Sequence, residues 1–383
     1  MPHPPSIVIA CSGLGHVRRG NETWARDVAT ALFQAGARVT LLGGGPPPNV
    51  PGPYHRLPTL RRDLPILRRC LSWSHRYLLE QLTFLLPLRR HLHRHRPDIV
   101  HLCDPDLALQ LHRRTPAAPF RIVFKDGMLL GPHWCSRLPF IQVVAPYYRD
   151  VLAREAGYPT NRWFVIPHLI DTNTFRPADD PAEARAQVPC TIPPGSPHAP
   201  VILGVGDFSP GGNKRLDHLV SEVAALPQDL DARLVLAGQA DPTELQHFAA
   251  QADRSLGRRL TLLPNLPRPA LLRLYQGADL FAHAPTREPF GIVFLEAMAC
   301  GLPVVGHDWD VTRWILGNAG VTVDMTRHGT LADQIVRWVS DPAARRASGV
   351  LARRRAETHF SPTAVVPLYL DLYSQVASQP AAS

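Results

Sequence analysis

Two glutamates, Glu288 and Glu296, stand with seven residues between them in the stretch Ala284-Pro285-Thr286-Arg287-Glu288-Pro289-Phe290-Gly291-Ile292-Val293-Phe294-Leu295-Glu296. The pattern predicts a strand ending near His283, a turn that presents Glu288, and a helix that starts near Gly291. A helix start carries N–H groups without intrahelical partners at the positive end of the helix dipole, which suits a phosphate. Glu296 falls about a turn beyond Ile292 and can point back to the same place, where a carboxylate could accept hydroxyl hydrogen bonds. The plain alternative is that Glu288 caps the helix and Glu296 is a solvated helix residue.

A cation stands upstream. Lys214 follows the turn Gly204-Val205-Gly206 and is approached through Gly211-Gly212-Asn213. Of 41 basic residues only Lys125 and Lys214 are lysines, which hints at a need for a compact point charge where arginine serves elsewhere. Near the N-terminus, Gly13-Leu14-Gly15-His16 forms a second glycine turn after an apolar run, Ile7–Cys11. Such a turn can bring backbone N–H groups to an anion or be mere strand-to-helix geometry.

These residues need a scaffold of alternating strands and helices. The expected strands of the first half are Ile7–Cys11, Ala37–Leu42, Ile99–Leu102, Arg121–Phe124, Ile141–Val144 and Trp163–Ile166. Residues 44–60 read as loop, and Leu64–Arg96 as helix in pieces, broken by Pro65 and Pro87. The second half offers Val201–Val205, Arg233–Ala237, Leu260–Leu263, Leu280–His283, Pro303–Gly306 and Val321–Asp324. The expected fold class is α/β, two Rossmann-like doubly wound domains facing each other across a cleft. The expected division is an N-terminal domain over 1–176, a proline-rich linker over 177–200, a C-terminal domain over 201–357, and a helix with a loose tail over 358–383.

The block from Glu288 to Glu296, continued by Ala297-Met298-Ala299-Cys300-Gly301-Leu302-Pro303-Val304, resembles the E-x7-E motif of retaining glycosyltransferase family 4, whose fold is of the GT-B type. Val165-Ile166-Pro167-His168-Leu169-Ile170-Asp171 and Lys214-Arg215-Leu216-Asp217 resemble further elements of that family in the right order, so the likeness covers nearly the whole chain. The resemblance implies transfer of a sugar, a hexose or a relative, from a nucleotide sugar to an acceptor. Retention at the anomeric carbon would follow from same-face attack through an oxocarbenium-like state. It implies that Glu288 approaches the transferred sugar, that Glu296 holds the ribose hydroxyls, and that N–H groups around Phe290, Gly291 and Ile292 bind sugar or diphosphate oxygens. Lys214, with Arg215 and the Gly206 turn, would neutralise the departing phosphates. Leu263 would lie against the base, and Gly13, Gly15 and His16 would line the N-terminal side. His16 could touch donor or acceptor, or be an ordinary loop histidine in water. The sequence departs from the family at Asp207, where arginine is usual, and at Phe124-Lys125-Asp126-Gly127, where many relatives carry a histidine. Lys125 or Asp126 is expected to take over part of that acceptor-side site.

Composition narrows the rest. The chain has 383 residues, 45% hydrophobic and 19% charged, enough for two buried cores. The N-terminus has no charged start or long apolar core, and the cysteines form no CxxC pair, so a cytoplasmic protein with free thiols is expected. No metal and no cofactor is expected, the nucleotide sugar being a co-substrate of unknown base. The formal charge of +9 favours anionic partners. No nucleic-acid motif accompanies it, but the arginine-rich segment 61–96, interleaved with leucines, could lie on an anionic membrane and deliver a lipid-linked acceptor. The competing readings are a sugar-nucleotide epimerase or phosphorylase on the same scaffold, and a basic membrane- or nucleic-acid-binding module without catalysis.

Overall fold

The computed structural model describes residues 3–17, 19–116, 118–127, 130–188, 199–209 and 211–379. It divides into two compact units: residues 1–169 with 362–383, and residues 170–361.

The first unit is built on a seven-stranded parallel sheet: β1 (Ser6–Cys11), β2 (Arg38–Gly43), β3 (Tyr54–Arg56), β4 (Ile99–Leu102), β5 (Arg121–Asp126), β6 (Phe140–Val143) and β7 (Trp163–Val165), in the order β3-β2-β1-β4-β5-β6-β7. The second holds a six-stranded parallel sheet: β8 (Val201–Val205), β9 (Arg233–Gly238), β10 (Leu260–Pro264), β11 (Leu280–His283), β12 (Val304–His307) and β13 (Val321–Val323), in the order β10-β9-β8-β11-β12-β13. Strands covered by helices on both faces must be apolar throughout, and β8 is buried at every position. In each sheet the strand order reverses beside the first strand of its unit, between β1 and β4 and between β8 and β11. Ligands of open α/β sheets bind beyond the carboxyl ends of the strands at such points.

The expected linker and the expected break at Pro87 need correction. The proposed linker carries a helix, Pro181–Ala186, in the second unit: Asp180 caps it through Ala182 N–H at 2.8 Å, Pro181 opens it, and Arg185 pairs with Asp279 at 2.7 Å. Residues 189–198 of that segment lie outside the described residues. Pro87 does not break its segment; it lies inside the 23-residue helix Trp73–His95. Buried Phe84, Leu88 and Leu92 on both sides of the proline hold that helix against the helix Pro105–Arg114 despite the lost backbone donor. Finally, the C-terminal helix Pro362–Ser378 belongs to the first unit. Tyr369 accepts from Trp24 Nε1 at 2.8 Å, Tyr373 meets His101 Nδ1 at 2.8 Å, and Val365, Leu372 and Val376 enter the same core.

Candidate functional site

The carboxyl end of β11 brings the Glu288 turn close to the loop that follows β8. Lys214 Nζ donates to Glu288 Oε2 at 2.7 Å, and His283 Nε2, at the end of β11, meets the same oxygen at 2.9 Å. Glu288 is thus neither a helix cap nor solvated: the helix Ile292–Ala299 is preceded by Gly291 in the left-handed region (φ 79°). Burial opposes the charge on Glu288, but the His283 hydrogen bond and the charges beside it outweigh burial and hold its carboxyl down at about 2. Burial in turn pushes His283 down, so at neutral pH a neutral imidazole donates to a carboxylate. The Lys214 side chain keeps 25% of its surface exposed against 7% for Glu288, so the ammonium remains within reach of a ligand. Its stem lies over Gly206, where a Cβ would fall 2.7 Å from Lys214 Cβ. That close approach is a physical reason for glycine at the end of β8.

Glu296 is also buried. Tyr275 donates to its Oε2 at 3.0 Å, and Arg268 Nη2 lies 3.8 Å from Oε1. Arg215, itself left-handed (φ 49°), donates to the Ala284 carbonyl at 3.2 Å and ties the β8 loop to the end of β11. Beside it opens a cavity of about 410 Å³ lined by Gly211, Gly212, Asn213, Arg215, Asp217, Thr286 and Arg287. Phe290 is buried, Ile292 half-buried at the first helical position, and Leu263 half-buried on β10. Asp207 is exposed. The fold therefore gathers Gly206, Lys214, Arg215, Glu288, Phe290, Gly291, Ile292 and Glu296 within one unit.

The glycine turn of the first unit is different. Glu22 and Arg62 pair where a Cβ on Gly13 would lie, 2.0 Å from Arg62 Nη2. Gly15 is left-handed (φ 91°). The His16 ring is 2% exposed, and its Nε2 meets Glu80 Oε2 at 2.8 Å, which overturns the exposed-loop alternative. Glu80 also accepts from Arg62 N–H at 2.7 Å and Ser12 Oγ at 3.1 Å. Asp104 accepts from Ser12 N–H at 2.6 Å and Tyr77 at 2.7 Å. Burial pushes Glu22 and Asp104 up from their ordinary values. Three buried carboxylates around one guanidinium disfavour an anion at this turn, which favours the second of the two alternatives, plain strand-to-helix geometry.

At the end of β5 the Lys125 side chain is buried, its Nζ donating to Asn21 Oδ1 at 3.0 Å and lying 5.5 Å from the Trp24 ring centre. Burial pushes its ammonium below the ordinary value. Asp126 is buried with Cys135 Sγ 3.6 Å from its Oδ2. The fold also brings together Cys11, Cys103 and Asp104, whose candidate ligand atoms lie within 4.8 Å of one another. Cys11 and Cys103 stand 92 residues apart, which hid the cluster from spacing arguments. Burial pushes the Cys103 thiol up, and its hydrogen bond with Cys11 followed by burial does the same for Cys11. Sequence reasoning also missed His283, Tyr275 and Arg268. Of these only His283 carried a signal, as a polar residue closing an apolar strand five positions before Glu288.

Residues 195–355 match the family model described as glycosyl transferases group 1, and residues 18–174 match glycosyltransferase family 4. A D-inositol 3-phosphate glycosyltransferase of Mycolicibacterium gilvum is 37% identical over 37% of this chain and 30% of its own length. A second, of Xylanimonas cellulosilytica, is 31% identical over 60% of this chain and 55% of its own length. Alpha-maltose-1-phosphate synthase of Mycolicibacterium smegmatis is 25% identical over 70% of this chain and 73% of its own length. The chain thus spans only about a third to a half of the first two relatives. Among solved structures, sucrose-phosphate synthase of Thermosynechococcus elongatus superposes with a TM-score of 0.77 at 22% identity, covering 97% of this chain and 98% of its own. Anabaena HepE in complex with UDP and glucose superposes at 0.73 with 18% identity, covering 98% and 100%. Likeness at these identities shows the fold.

Proposed function

The chain belongs to glycosyltransferase family 4, and from that premise we propose that it moves a sugar from a nucleotide-sugar donor to an acceptor with retention at the anomeric carbon. The observation that carries this reading is Lys214 held on Glu288 beyond the strand ends β8 and β11, beside the helix start at Gly291. As the glycosidic bond breaks, charge develops on the diphosphate. Lys214 offers a cation, assisted by Arg215, and the N–H groups near Phe290, Gly291 and Ile292 offer dipoles that need no reorganisation. Glu288 keeps its proton off, and its negative charge suits an oxocarbenium-like sugar. A diphosphate would draw Lys214 toward itself while His283 still holds Glu288 in place. Glu296 is proposed to accept the ribose hydroxyls, Gly206 to admit the phosphates, and Leu263 to face the base. On the acceptor side the candidates are Lys125 and Asp126. HepE, solved with UDP-glucose, and starch synthase IV of Arabidopsis thaliana, solved with ADP and acarbose, lend support to a nucleotide donor while leaving the base open.

The acceptor reading extends to a lipid-linked molecule at an anionic membrane. No helix among the described residues is long and apolar enough to cross one. The helix Trp73–His95, however, turns Tyr77, Phe84, Leu88 and Leu92 inward and leaves Leu78, Leu82 and Leu86 exposed at four-residue steps. Arg90 and Arg94 on the same helix and Arg68 and Arg69 before it are exposed, whereas Glu80 is buried and Asp63 is engaged by Arg61. Such a face suits anionic lipid headgroups.

The donor reading is tested by a hydrolysis and thermal-shift screen against UDP-, GDP-, ADP- and TDP-sugars. One base is expected to raise the melting temperature and to release its nucleoside diphosphate. A screen in which none does either would sink the reading. Co-sedimentation at low salt tests the membrane part, with binding expected to anionic but not neutral vesicles.

A further inference from the structure

Two buried thiols and a buried carboxylate meet where β1 and β4 end. Cys11 closes β1, and the register that sets Ala10 beside Leu102 brings Cys103 next to it at the end of the neighbouring parallel strand. The two thiols hydrogen-bond to each other, and the donor atoms of Cys11, Cys103 and Asp104 all lie within 4.8 Å of one another. All three residues are at most 1% exposed. We propose that Cys11, Cys103 and Asp104 form a binding site for a thiophilic divalent ion of the Zn²⁺ type. This departs from the sequence-based expectation of a chain without metal. The ion would fasten the ends of β1 and β4 together, separate from the donor chemistry proposed for the second unit.

The donor set and its supports fit this use. Zinc holds sulfur at about 2.3 Å and carboxylate oxygen at about 2.0–2.2 Å, which sets tetrahedral donors roughly 3.5–3.8 Å apart. Donors already within 4.8 Å would reach that spacing by side-chain movement of about 1 Å. Asp104 is the N-cap residue of the helix Pro105–Arg114, yet its side chain makes no capping hydrogen bond there. Gln81 Oε1 accepts the Leu107 N–H instead, at 3.0 Å. The Asp104 carboxylate is turned to the end of β1, where Ser12 N–H donates to Oδ2 at 2.6 Å and the Tyr77 hydroxyl donates to Oδ1 at 2.7 Å. A carboxylate oxygen that accepts one hydrogen bond keeps a further lone pair, and such partners orient a ligating carboxylate. Charge balances as well. An ion that displaces both thiol protons to solvent sets two positive charges against two thiolates, so the buried group keeps its net charge. Thiolate sulfur selects a soft or borderline ion over Mg²⁺ or Ca²⁺. Three protein ligands leave a fourth position on the ion for a water or another small ligand.

The test uses the full chain, refolded with Zn²⁺ or Co²⁺ because the three groups are buried, then dialysed to remove loosely held ion. The parent is expected to keep one equivalent of Zn²⁺ and to melt at a higher temperature with it, and Mg²⁺ to do neither. The Co²⁺ form is expected to show thiolate-to-cobalt charge-transfer absorption. Cys11→Ala and Cys103→Ala are each expected to weaken Zn²⁺ binding tenfold or more and to diminish that absorption. Asp104→Asn is expected to weaken binding by a similar factor while the thiolate absorption persists. Cys70→Ser, which removes an exposed thiol outside the trio, is expected to change neither. Metal-free melting curves show which variants fold, and the parent's ion content and spectrum decide the matter even if none does. A parent that retains no ion and shows no charge-transfer absorption overturns the site and leaves two thiols of an ordinary core. Zn²⁺ affinity that survives any of the three ligand variants, or that is lost with Cys70→Ser, places the ion elsewhere and also overturns it.

Discussion

Both sheets reverse their strand order beside their first strand, β1 and β8, and the two crevices so formed are filled in opposite ways. Beyond β1 and β4 the chain occupies the position itself. Arg62 with Glu22, Glu80 and Asp104 forms a buried ionic group, and glycine at position 13 leaves it room. Beyond β8 and β11 a single carboxylate is held by a buried neutral histidine and a partly exposed lysine, with a left-handed glycine opening a helix alongside. The same strand topology serves in one unit as an anchor for loops and in the other holds the residues proposed to meet the donor. What separates them is whether the cation at the strand ends is fully engaged by the chain's own carboxylates.

Removing each cation in turn is expected to separate the two strand ends. Arg62→Leu leaves Glu22, Glu80 and Asp104 buried without their guanidinium, and is expected to destabilise the fold by about 3–5 kcal/mol, read from denaturant melts. If the variant still folds at low temperature, nucleotide affinity in the second unit is expected to be unchanged. A loss under about 1 kcal/mol would deny the cluster its structural role. Lys214→Ala is expected to do the reverse: a melting temperature close to the parent, with the transfer rate down on the order of 10²-fold, more than any rise in donor KM. A near-normal rate in the folded variant would move the role to Arg215 or Arg287. Glu296→Gln keeps the size of the side chain and removes its charge. Donor affinity is expected to weaken by roughly 1.5–3 kcal/mol, as for a charged hydrogen bond, with the fold intact. An unchanged dissociation constant would contradict the ribose assignment.

The smallest effect concerns pH. Burial holds His283 below its ordinary value and His101 down at about 3, so below about 6.5 these two residues bind more protons in the unfolded chain than in the native one, whereas Glu22 and Asp104, pushed up by burial, act in the opposite direction nearer the carboxylate range. Native stability is therefore expected to fall as pH drops through 6 and 5, visible as a declining melting temperature. Glu288, held at about 2 against 4.5, adds a further loss only at lower pH, between those values. A melting temperature that is flat or rising from pH 7 to pH 5 would contradict the buried neutral state of these histidines.

Much of the scaffold was legible because parallel strands covered on both faces must be short apolar runs, as in Ile99–Leu102, Val201–Val205 and Leu280–His283. The edge strand Tyr54–Arg56 was not, since three polar or aromatic residues paired on one side carry no such pattern. The C-terminal helix reads as amphipathic, but its return to the first unit depends on Trp24 and His101, hundreds of residues away, meeting Tyr369 and Tyr373. At the site, Glu288, Glu296 and Lys214 stood out by their resemblance to family motifs, with spacing and the rarity of lysine as weaker signs. Their partners His283, Tyr275 and Arg268 are supplied by tertiary packing, which leaves little mark on local sequence. Glycine marked both turns equally, and only the structure shows that Gly13 accommodates a side-chain ion pair while Gly206 accommodates a lysine stem.

Lys214 is proposed to serve the charge of a departing diphosphate. The direct measurement is the equilibrium affinity of a nucleoside diphosphate and of its intact nucleotide sugar, for the parent and for Lys214→Ala, using the base identified by the donor screen. A free diphosphate carries the charge that develops as the sugar leaves, so it should depend on the lysine more than the intact donor does. The expected result is a tenfold or greater loss of diphosphate affinity in the variant, with a clearly smaller loss for the nucleotide sugar. Equal losses for the two ligands, or no loss for either, would contradict the claim.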